Sequence, residues 1–363
     1  MTVAKARFVE IVRDVSGGNP KLPQSEYLTT GKLPVVDQGQ SFVAGYTNDE
    51  TYKFRSEQLP VVVFGDHTKA VKFVDFPFVM GADGVKVLKP KDGCDAKYLY
   101  HFLRHAKLPD AGYSRHFKFL KELKLPLPTL VEQRRIAAIL DKADALRAKR
   151  REAIAKLDQL LQSVFLDMFG DPVLNLKGWK TTALGELGQI HTGRTPPTKI
   201  AGMFGGSVPF VTPGDLDVPL VSTDRTLTSE GALRSKVVRA GSALVGCIGN
   251  IGKIGKAAQP SAFNQQINAV EWDNDLIDDD FGCFAMRFAK PQMLALASST
   301  VVPILNKTGF SRVKLVVPPV RTQKRFAEIH QQTERQRDRL KLSMLHLDSL
   351  FLSLQHRAFS GTL

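Results

Sequence analysis

The sequence has little cysteine and no long apolar run. Its three cysteines, Cys94, Cys247 and Cys283, are isolated, and none belongs to a CxxC pair. This pattern indicates neither a disulfide framework nor a zinc site, and it is typical of a reducing cytoplasm. No window approaches the ~18 consecutive apolar residues of a membrane helix, and the first residues lack the apolar core of a signal peptide. We therefore expect a cytoplasmic protein that is neither exported nor embedded in a membrane.

Acidic residues are also in the minority. The 363 residues include 50 Lys and Arg against 36 Asp and Glu, which gives a net charge of +14. A basic excess is found in each of four consecutive segments, residues 1–130, 131–170, 171–319 and 320–363. Such a surface favours a polyanionic partner such as the DNA phosphate backbone, although charge alone is equally compatible with a generic basic protein. The length and the hydrophobic content of 43% indicate two folded domains with separate cores.

The most informative pattern is a motif that occurs twice, at a constant offset of 190 residues. The residues shared by the two copies are Leu125, Pro128, Gln133, Arg135, Ala137 and Ile139, and then Leu315, Pro318, Gln323, Arg325, Ala327 and Ile329. The offset holds without a gap as far as Phe169, which matches Phe359. A period of this length is too long for a solenoid repeat. It predicts a duplicated unit of one domain plus one helix, with pseudo-twofold symmetry.

A long helix is predicted after each copy of the motif. Residues 131–168 contain neither Gly nor Pro and carry the apolar spacing of a coiled-coil seam. The second seam is polar at first, at His330, Thr333 and Gln336, and apolar later. A twofold relation would place the two helices antiparallel, each covering the seam of the other. The alternative is that both are ordinary core helices of one larger domain.

The predicted fold class is mixed α/β (α+β), with two globular domains separated by two long antiparallel coiled-coil helices. Alternating or apolar runs, such as residues 59–64 and 267–272, predict many short strands in both globular segments. Residues 33–36 resemble residues 208–211, which indicates a shared scaffold. The expected boundaries are residues 1–128 for the first domain, 129–170 for a central spacer helix, 171–318 for the second domain and 319–363 for a C-terminal spacer helix.

In this layout the sequence resembles the specificity subunit of a Type I restriction-modification system over essentially its whole length. The residues that carry the resemblance are Leu125 to Pro128, Glu132 to Ala137, Phe169 to Pro172, Thr192 to Pro196, Pro213 to Asp215, Gln38 with Gly39, and Phe64 to His67. The resemblance implies two target recognition domains, each reading half of a bipartite site in double-stranded DNA. It also implies helices that dock two methyltransferase (modification) subunits and, through them, restriction subunits that translocate and cut DNA. The chain itself would be non-catalytic, with no cofactor and no metal.

Other functions depend on a few residues. Asp110, followed by Glu122 and Lys124, matches the loose PD-(D/E)xK pattern of metal-dependent nucleases. The repeat offset pairs Asp110 with Thr300 and Glu122 with Arg312, which argues against a metal site there. An autonomous metal-dependent nuclease nevertheless stays an alternative, as does a coiled-coil adaptor whose domains bind protein instead of DNA.

Two weaker patterns favour structural roles. The glycines of residues 246–255 fit neither of the common phosphate-binding motifs, so they predict a tight turn between strands, with a contact to DNA phosphate as an open alternative. His101 and His105 are four positions apart on a predicted helix but lack a third metal ligand.

Base reading requires side chains that form paired hydrogen bonds with base edges, such as Arg, Lys, Asn, Gln, Asp and Glu. Loops rich in such residues are therefore the candidate DNA contacts. In the first domain the candidates are Gln38, Gln40, Ser41, Asp66, His67, Lys69, Tyr113, Arg115, His116 and Lys118. In the second they are Arg194, Thr195, Thr212, Asp215, Asn250, Lys253, Asn264, Gln265, Gln266, Asn306, Lys307 and Thr308. The repeat offset pairs His116 with Asn306 and Lys118 with Thr308, as two different half-sites read from one scaffold would require.

Overall fold

Two compact units make up the chain. The computed structural model describes residues 4–109, 112, 114–216, 223–298 and 301–363. Unit 1 comprises Met1–Glu152 with Lys341–Leu363, and unit 2 comprises Ala153–Leu340. Because the division falls inside both long helices, each unit contains one globular segment and one part of each helix.

Unit 1 is built from short strands and few helices. Its strands are β1 (Lys5–Arg7), β2 (Val12–Asp14), β3 (Lys21–Leu22), β4 (Leu33–Val36), β5 (Gly45–Thr47), β6 (Val61–Gly65), β7 (Val71–Val74), β8 (Val79–Gly81), β9 (Val85–Pro90) and β10 (Lys124–Pro126). Its helices are α1 (Phe8–Ile11), α2 (Ala96–His105), α3 (Phe117–Leu120), the first part of α4 (Leu130–Phe169) and the last part of α10 (Val320–Ser360).

Unit 2 has a similar series of elements with two helices more in the described ranges, and it also contains the last part of α4. Its strands are β11 (Lys180–Ala183), β12 (Gly188–Thr192), β13 (Phe204–Val211), β14 (Thr226–Leu227), β15 (Val237–Val238), β16 (Ala243–Gly246), β17 (Ile254–Lys256), β18 (Ser261–Phe263), β19 (Ile267–Trp272) and β20 (Lys314–Val317). Its helices are α5 (Leu184–Leu187), α6 (Ser229–Leu233), α7 (Asp279–Ala285), α8 (Lys290–Leu296), α9 (Lys307–Ser311) and the first part of α10 (Val320–Ser360).

The sheets show the duplication directly. The antiparallel sheet β2-β9-β6-β7 of unit 1 has the same strand order as β12-β19-β16-β17 of unit 2. Each unit also contains a two-stranded sheet, which is β1-β10 in unit 1 and β11-β20 in unit 2. The third sheets, β3-β8-β4-β5 and β15-β18-β13-β14, share a parallel central pair, but the edge strand β3 is parallel to β8 whereas β15 is antiparallel to β18. The predicted mixed α/β class with two repeated domains is confirmed.

The long helices contribute to the core of each unit. In unit 1, Ile136 and Leu140 of α4 lie in one buried cluster with Tyr98 of α2 and with Phe351 and Phe359 of α10. Their burial follows from the apolar spacing in the sequence, because residues three and four positions apart share one face of a helix. Part of the globular segment of unit 1 therefore shares one core cluster with the long helices, while a separate cluster that includes Val36, Phe54 and Phe78 lies within the globular segment.

Unit 2 has an aromatic core at the corresponding place. Phe165 and Phe169 of α4 pack against Phe281 of α7 and Phe326 of α10, and the rings of Phe165 and Phe326 meet edge to face at 5.3 Å. Such ring pairs contribute about 0.5–1.5 kcal/mol beyond the burial of their area.

Within each unit the two long helices run antiparallel. In unit 1, the Arg135 guanidinium donates to the carbonyl of Leu363 at 3.1 Å, and Arg147 Nε donates to Asp348 Oδ1 at 2.6 Å. Residue numbers in α4 therefore rise while those of the contacting residues fall. In unit 2, Arg337 Nη1 of α10 donates to Asp158 Oδ1 of α4 at 3.1 Å.

The two ion pairs are copies of one interaction. Arg337 is the repeat equivalent of Arg147, and Asp158 is the repeat equivalent of Asp348. Each arginine also contacts an acidic residue one helical turn earlier, Asp144 or Glu334. The duplication thus extends from the sequence motif to the contacts that pair the helices.

The glutamine of the repeated motif fastens each long helix to its globular segment. Gln133 is fully buried, and its Nε2 donates to the carbonyls of Gly93 at 2.9 Å and Pro128 at 2.8 Å. Its Oε1 accepts from the backbone N–H of Asp95 at 2.8 Å. The Asp95 carboxylate in turn caps α2 by accepting from the backbone N–H groups of its first turn.

Gln323 repeats this network in unit 2. It is fully buried, donates to the carbonyls of Leu276 at 3.0 Å and Pro318 at 2.8 Å, and accepts from the N–H of Asp278 at 2.9 Å. Asp278 caps α7 as Asp95 caps α2. A buried amide with three hydrogen bonds explains why both copies of the motif contain glutamine at this position.

The apolar seam of α10 begins with polar residues, and the first of these, His330, contacts the buried carboxylate of Asp280. His330 Nδ1 lies 3.1 Å from Asp280 Oδ1, and Gln331 Nε2 donates to Asp280 Oδ2 at 2.8 Å. Burial would raise the pKa of Asp280, but hydrogen bonds from His330, Gln331 and Lys256 outweigh it and lower the pKa well below its usual range. At the equivalent place in unit 1, Leu140 is simply buried. Neither long helix, nor any other helix in the described ranges, is long and apolar enough to cross a membrane.

Candidate nucleic-acid interface

Most candidate side chains come from corresponding loops of the two units, while Arg194 and Thr195 follow β12 and three others lie at the start of α3 and α9. These loops connect equivalent strands or precede equivalent helices, so the duplicated scaffold presents them in the same order. The pairs are residues 37–44 with 212–225, residues 66–70 with 247–253, residues 82–84 with 264–266, and residues 106–116 with 297–306, apart from residues 110, 111, 113, 217–222, 299 and 300, which are not described.

Gln38 joins three loops of unit 1. Its Nε2 donates to the carbonyl of Asp83 at 3.0 Å, and its Oε1 accepts from the backbone N–H of His67 at 3.3 Å. The Thr68 hydroxyl donates to the Gln38 carbonyl. A side chain at Gly84 would lie 2.4 Å from Gln38 Oε1, and the positive φ of 86° there also favours glycine. The amide of Gln38 is therefore used within the protein.

Asp66 and His116 join two further segments. Asp66 is 4% exposed, and its Oδ1 accepts from the backbone N–H of Phe117 at 2.7 Å. Its carbonyl accepts from the N–H of His116 at 2.8 Å and lies 3.0 Å from His116 Nδ1, and its own N–H donates to the carbonyl of Gly84 at 2.7 Å. His116 is 1% exposed. Both residues thus lie beneath the surface of the loops.

Other candidates of unit 1 face solvent. Gln40, Ser41, Arg115 and Lys118 are exposed. The Lys118 ammonium lies 4.9 Å from the centre of the Phe119 ring. His67 and Lys69 are half-buried, and Tyr113 lies outside the described residues. The exposed set contains two cations and two neutral polar side chains.

In unit 2 a close backbone contact brings two loops together. A side chain at Gly193 would lie 2.1 Å from the carbonyl oxygen of Asn264, so glycine is required for this approach. The N–H of Arg194 donates to the carbonyl of Phe263 at 2.9 Å. As a result, the Thr195 hydroxyl donates to Gln265 Oε1 at 2.7 Å.

Several other polar side chains of unit 2 form local contacts. The Asp215 carboxylate accepts from both the N–H and the hydroxyl of Thr212 at 2.8 Å, in a capping box. Asn264, which is 9% exposed, donates from Nδ2 to Gln266 Oε1 at 3.1 Å and accepts from the N–H of Gln266. These four side chains shape their own loops.

The remaining candidates of unit 2 lie on two linked loops. The N–H of Gly249 donates to the carbonyl of Pro303 at 3.0 Å, and the N–H of Leu305 donates to the carbonyl of Cys247 at 2.8 Å. Asn306 caps α9 by accepting from the N–H of Gly309 at 2.8 Å. Among the candidates of this unit, Lys253 is half-buried, and the exposed ones are Arg194, Asn250, Gln265, Asn306, Lys307 and Thr308.

Two residues near these loops escaped the sequence analysis. The Ser235 hydroxyl donates to the carbonyl of Arg194 and so helps to hold that loop. Arg225 is exposed, and its guanidinium lies 4.4 Å from the centre of the Phe204 ring. Ser235 stands between Arg234 and Lys236, and Arg225 follows Asp224, so short charged runs were the available signal. The Arg225 guanidinium lies near the rings of both Phe204 and Phe210, and this arrangement exists only once β13 and β14 are paired.

The residues that match the nuclease pattern do not form a metal site in the described part of the chain. Among the described residues there is no group of three or more His, Cys, Asp or Glu that could hold a metal ion. Asp110 lies outside the described residues, and Glu122 and Lys124 are exposed. The glycines of residues 246–255 form the connection between β16 and β17.

The histidines and cysteines that might have carried chemistry are packed in the cores. His101 is fully buried with Nε2 2.8 Å from Asp141 Oδ1, and burial lowers its pKa although Asp141 opposes the shift. His105 stacks on Phe359. Burial raises the pKa of Cys94 to about 12, so this thiol is neutral at physiological pH and a poor nucleophile.

Comparison with known proteins gives one consistent result. A family model, the Type I restriction modification DNA specificity domain, matches residues 9–156 and 176–341. The specificity subunit of the type I restriction enzyme EcoR124I/EcoR124II from Escherichia coli is 29% identical over 329 residues, which cover 84% of this chain and 80% of that protein. The HindI specificity subunit from Haemophilus influenzae is 31% identical over 153 residues, 39% of this chain and 32% of that protein.

A solved structure shares the fold. The S subunit of a Type-I restriction-modification system from M. genitalium matches with a TM-score of 0.65 at 16% identity, over 98% of this chain and 96% of that one. At this identity the match shows the fold alone.

Proposed function

Because the chain belongs to the family of Type I restriction-modification DNA specificity domains, we propose that it is a non-catalytic cytoplasmic subunit that directs a methyltransferase to a bipartite DNA site. In this role each globular segment is a target recognition domain, with boundaries at residues 1–128 and 171–318. The helical segments, residues 129–170 and 319–363, are spacers between them.

One observation carries the proposal: the two units repeat a scaffold but expose different side chains from equivalent loops. The segment at the start of α3 exposes Arg115 and Lys118, whereas the equivalent segment at α9 exposes Asn306, Lys307 and Thr308. A shared scaffold fixes where the loops lie, and the side chains decide which base edges they accept. Two such surfaces suit two unequal half-sites. The net charge of +14 suits contact with the phosphate backbone of the DNA.

The paired helices support the recruitment of partners. The ion pair of Arg147 with Asp348 in unit 1 recurs as Arg337 with Asp158 in unit 2. A duplicated helix pair offers two similar surfaces, which suits two copies of one methyltransferase subunit. Restriction subunits would join through these methyltransferase subunits. The nuclease and adaptor alternatives have no comparable support.

The proposal is tested by sequence selection in vitro. The chain, in complex with its methyltransferase subunits, is incubated with duplexes that contain two randomised blocks at variable spacing. We expect enrichment of one asymmetric bipartite sequence. Arg115→Ala with Lys118→Ala should weaken selection in one block only, and Lys307→Ala with Thr308→Ala in the other block only. Enrichment of a single continuous site, or weakening of both blocks by either pair, would overturn the proposal.

A further inference from the structure

Two polar side chains of unit 1 connect four segments that could face DNA. Gln38 links residues 37–44 to residues 66–70 and 82–84. The Asp66 carboxylate links residues 66–70 to the start of α3, and the Asp66 backbone N–H links them to residues 82–84. The other contacts described above between these segments are made by backbone atoms, by the Thr68 hydroxyl or by His116 Nδ1. Removing either side chain would therefore weaken the links between these segments, although the backbone hydrogen bonds would remain.

We infer that Asp66 is a positioning residue, which holds the segment bearing Arg115 and Lys118 in place and does not itself read a base. The inference rests on the proposed function. Residue type alone favours the opposite, because a free aspartate can accept a hydrogen bond from cytosine. At 4% exposure, however, the carboxylate faces the protein and accepts from the N–H of Phe117 at 2.7 Å.

The geometry explains how Asp66 acts at a distance. Phe117 begins α3, and its N–H has no carbonyl partner inside the helix because it lies in the first turn. The Asp66 carboxylate supplies that partner, while the Asp66 carbonyl holds the N–H of His116. Arg115 precedes these two fixed residues directly and Lys118 follows them. The two exposed cations are therefore aimed by a contact buried beneath them.

Three variants separate positioning from reading. Asp66→Ala removes the acceptor, while Asp66→Asn keeps an acceptor oxygen of nearly the same shape and removes the charge. Asp83→Ala is the control, because it removes an exposed carboxylate from the adjoining loop and leaves the Asp83 carbonyl, to which Gln38 Nε2 donates. Each variant is assayed in the complete complex with its methyltransferase subunits, on DNA with one half-site randomised and the other fixed.

We expect Asp66→Ala to bind its half-site roughly 5- to 30-fold more weakly, as for the loss of a hydrogen bond to a buried donor, with the preferred base unchanged at every position. Asp66→Asn should recover most of the affinity, and Asp83→Ala should match wild type. A changed base preference in Asp66→Asn, above all from cytosine to adenine, would overturn the inference. So would an Asp66→Asn variant as weak as Asp66→Ala.

Selection at the second half-site shows whether the complex is folded. If Asp66→Ala fails to assemble, Asp66→Asn alone decides, because an unchanged motif at near wild-type affinity supports positioning and a shifted base refutes it. If the wild-type complex selects no sequence at all, the proposed function fails, independently of the role of Asp66.

Discussion

Replacement of Gln133 by alanine tests whether the repeated motif holds each long helix on its domain. The substitution leaves the buried N–H of Asp95 without its acceptor and removes the donor to the carbonyls of Gly93 and Pro128. An unsatisfied buried group costs about 1–3 kcal/mol, and carbonyls tolerate the loss better than N–H groups. We therefore expect the free energy of unfolding of unit 1 to fall by about 2–4 kcal/mol.

The duplication provides a second arm and a matched control. Gln323→Ala removes the equivalent three hydrogen bonds from unit 2, so it should cost a similar amount there. Gln159 lies exposed on α4, and Gln159→Ala should change stability by no more than about 0.5 kcal/mol. Urea titrations followed by hydrogen exchange in each unit would measure these changes. A Gln133→Ala variant as stable as Gln159→Ala would refute the role of the glutamine.

Three further predictions concern charge and burial. The lowered pKa of Asp280 means that its carboxylate stabilises unit 2 fully above the unfolded pKa of about 3.9 and that this contribution is lost as the pH falls further. The stability gap between wild type and Asp280→Asn, measured by urea titration, should therefore be constant above about pH 5 and shrink as the pH falls from about 5 towards about 2; a gap that stays constant over that lower range would contradict it. Lys118→Ala should lower the slope of log affinity against log salt by about 1 if the exposed ammonium meets a phosphate, and an unchanged slope would exclude that contact. Cys94, Cys247 and Cys283 are buried, so iodoacetamide should modify them only after unfolding; rapid modification of the native chain would show that the cores open.

The fold was predictable where a single periodic pattern determined it. Ile136 and Leu140 were placed on a helix seam by their spacing alone, and both are buried. The seam of α10 was harder to interpret, because His330 has polar neighbours in the sequence and its partner Asp280 lies 50 residues away. No local pattern can reveal a charge that arrives from another element.

The site was less predictable for the same reason. Asp66 and Arg115 were chosen on equal grounds, yet Asp66 is buried and Arg115 is exposed. The difference depends on contacts between residues about 50 positions apart, such as that of Asp66 with Phe117. Residue type shows which side chains could contact a base. Burial and existing hydrogen bonds then show which of them are already engaged.

The most direct test of the account is to sequence the methylated bases in DNA from cells that carry this chain with its methyltransferase, and from cells in which only this chain is deleted. The account predicts one asymmetric bipartite motif, methylated in the first cells and absent from the second. An identical set of methylated motifs in both would contradict the claim that this chain directs methylation.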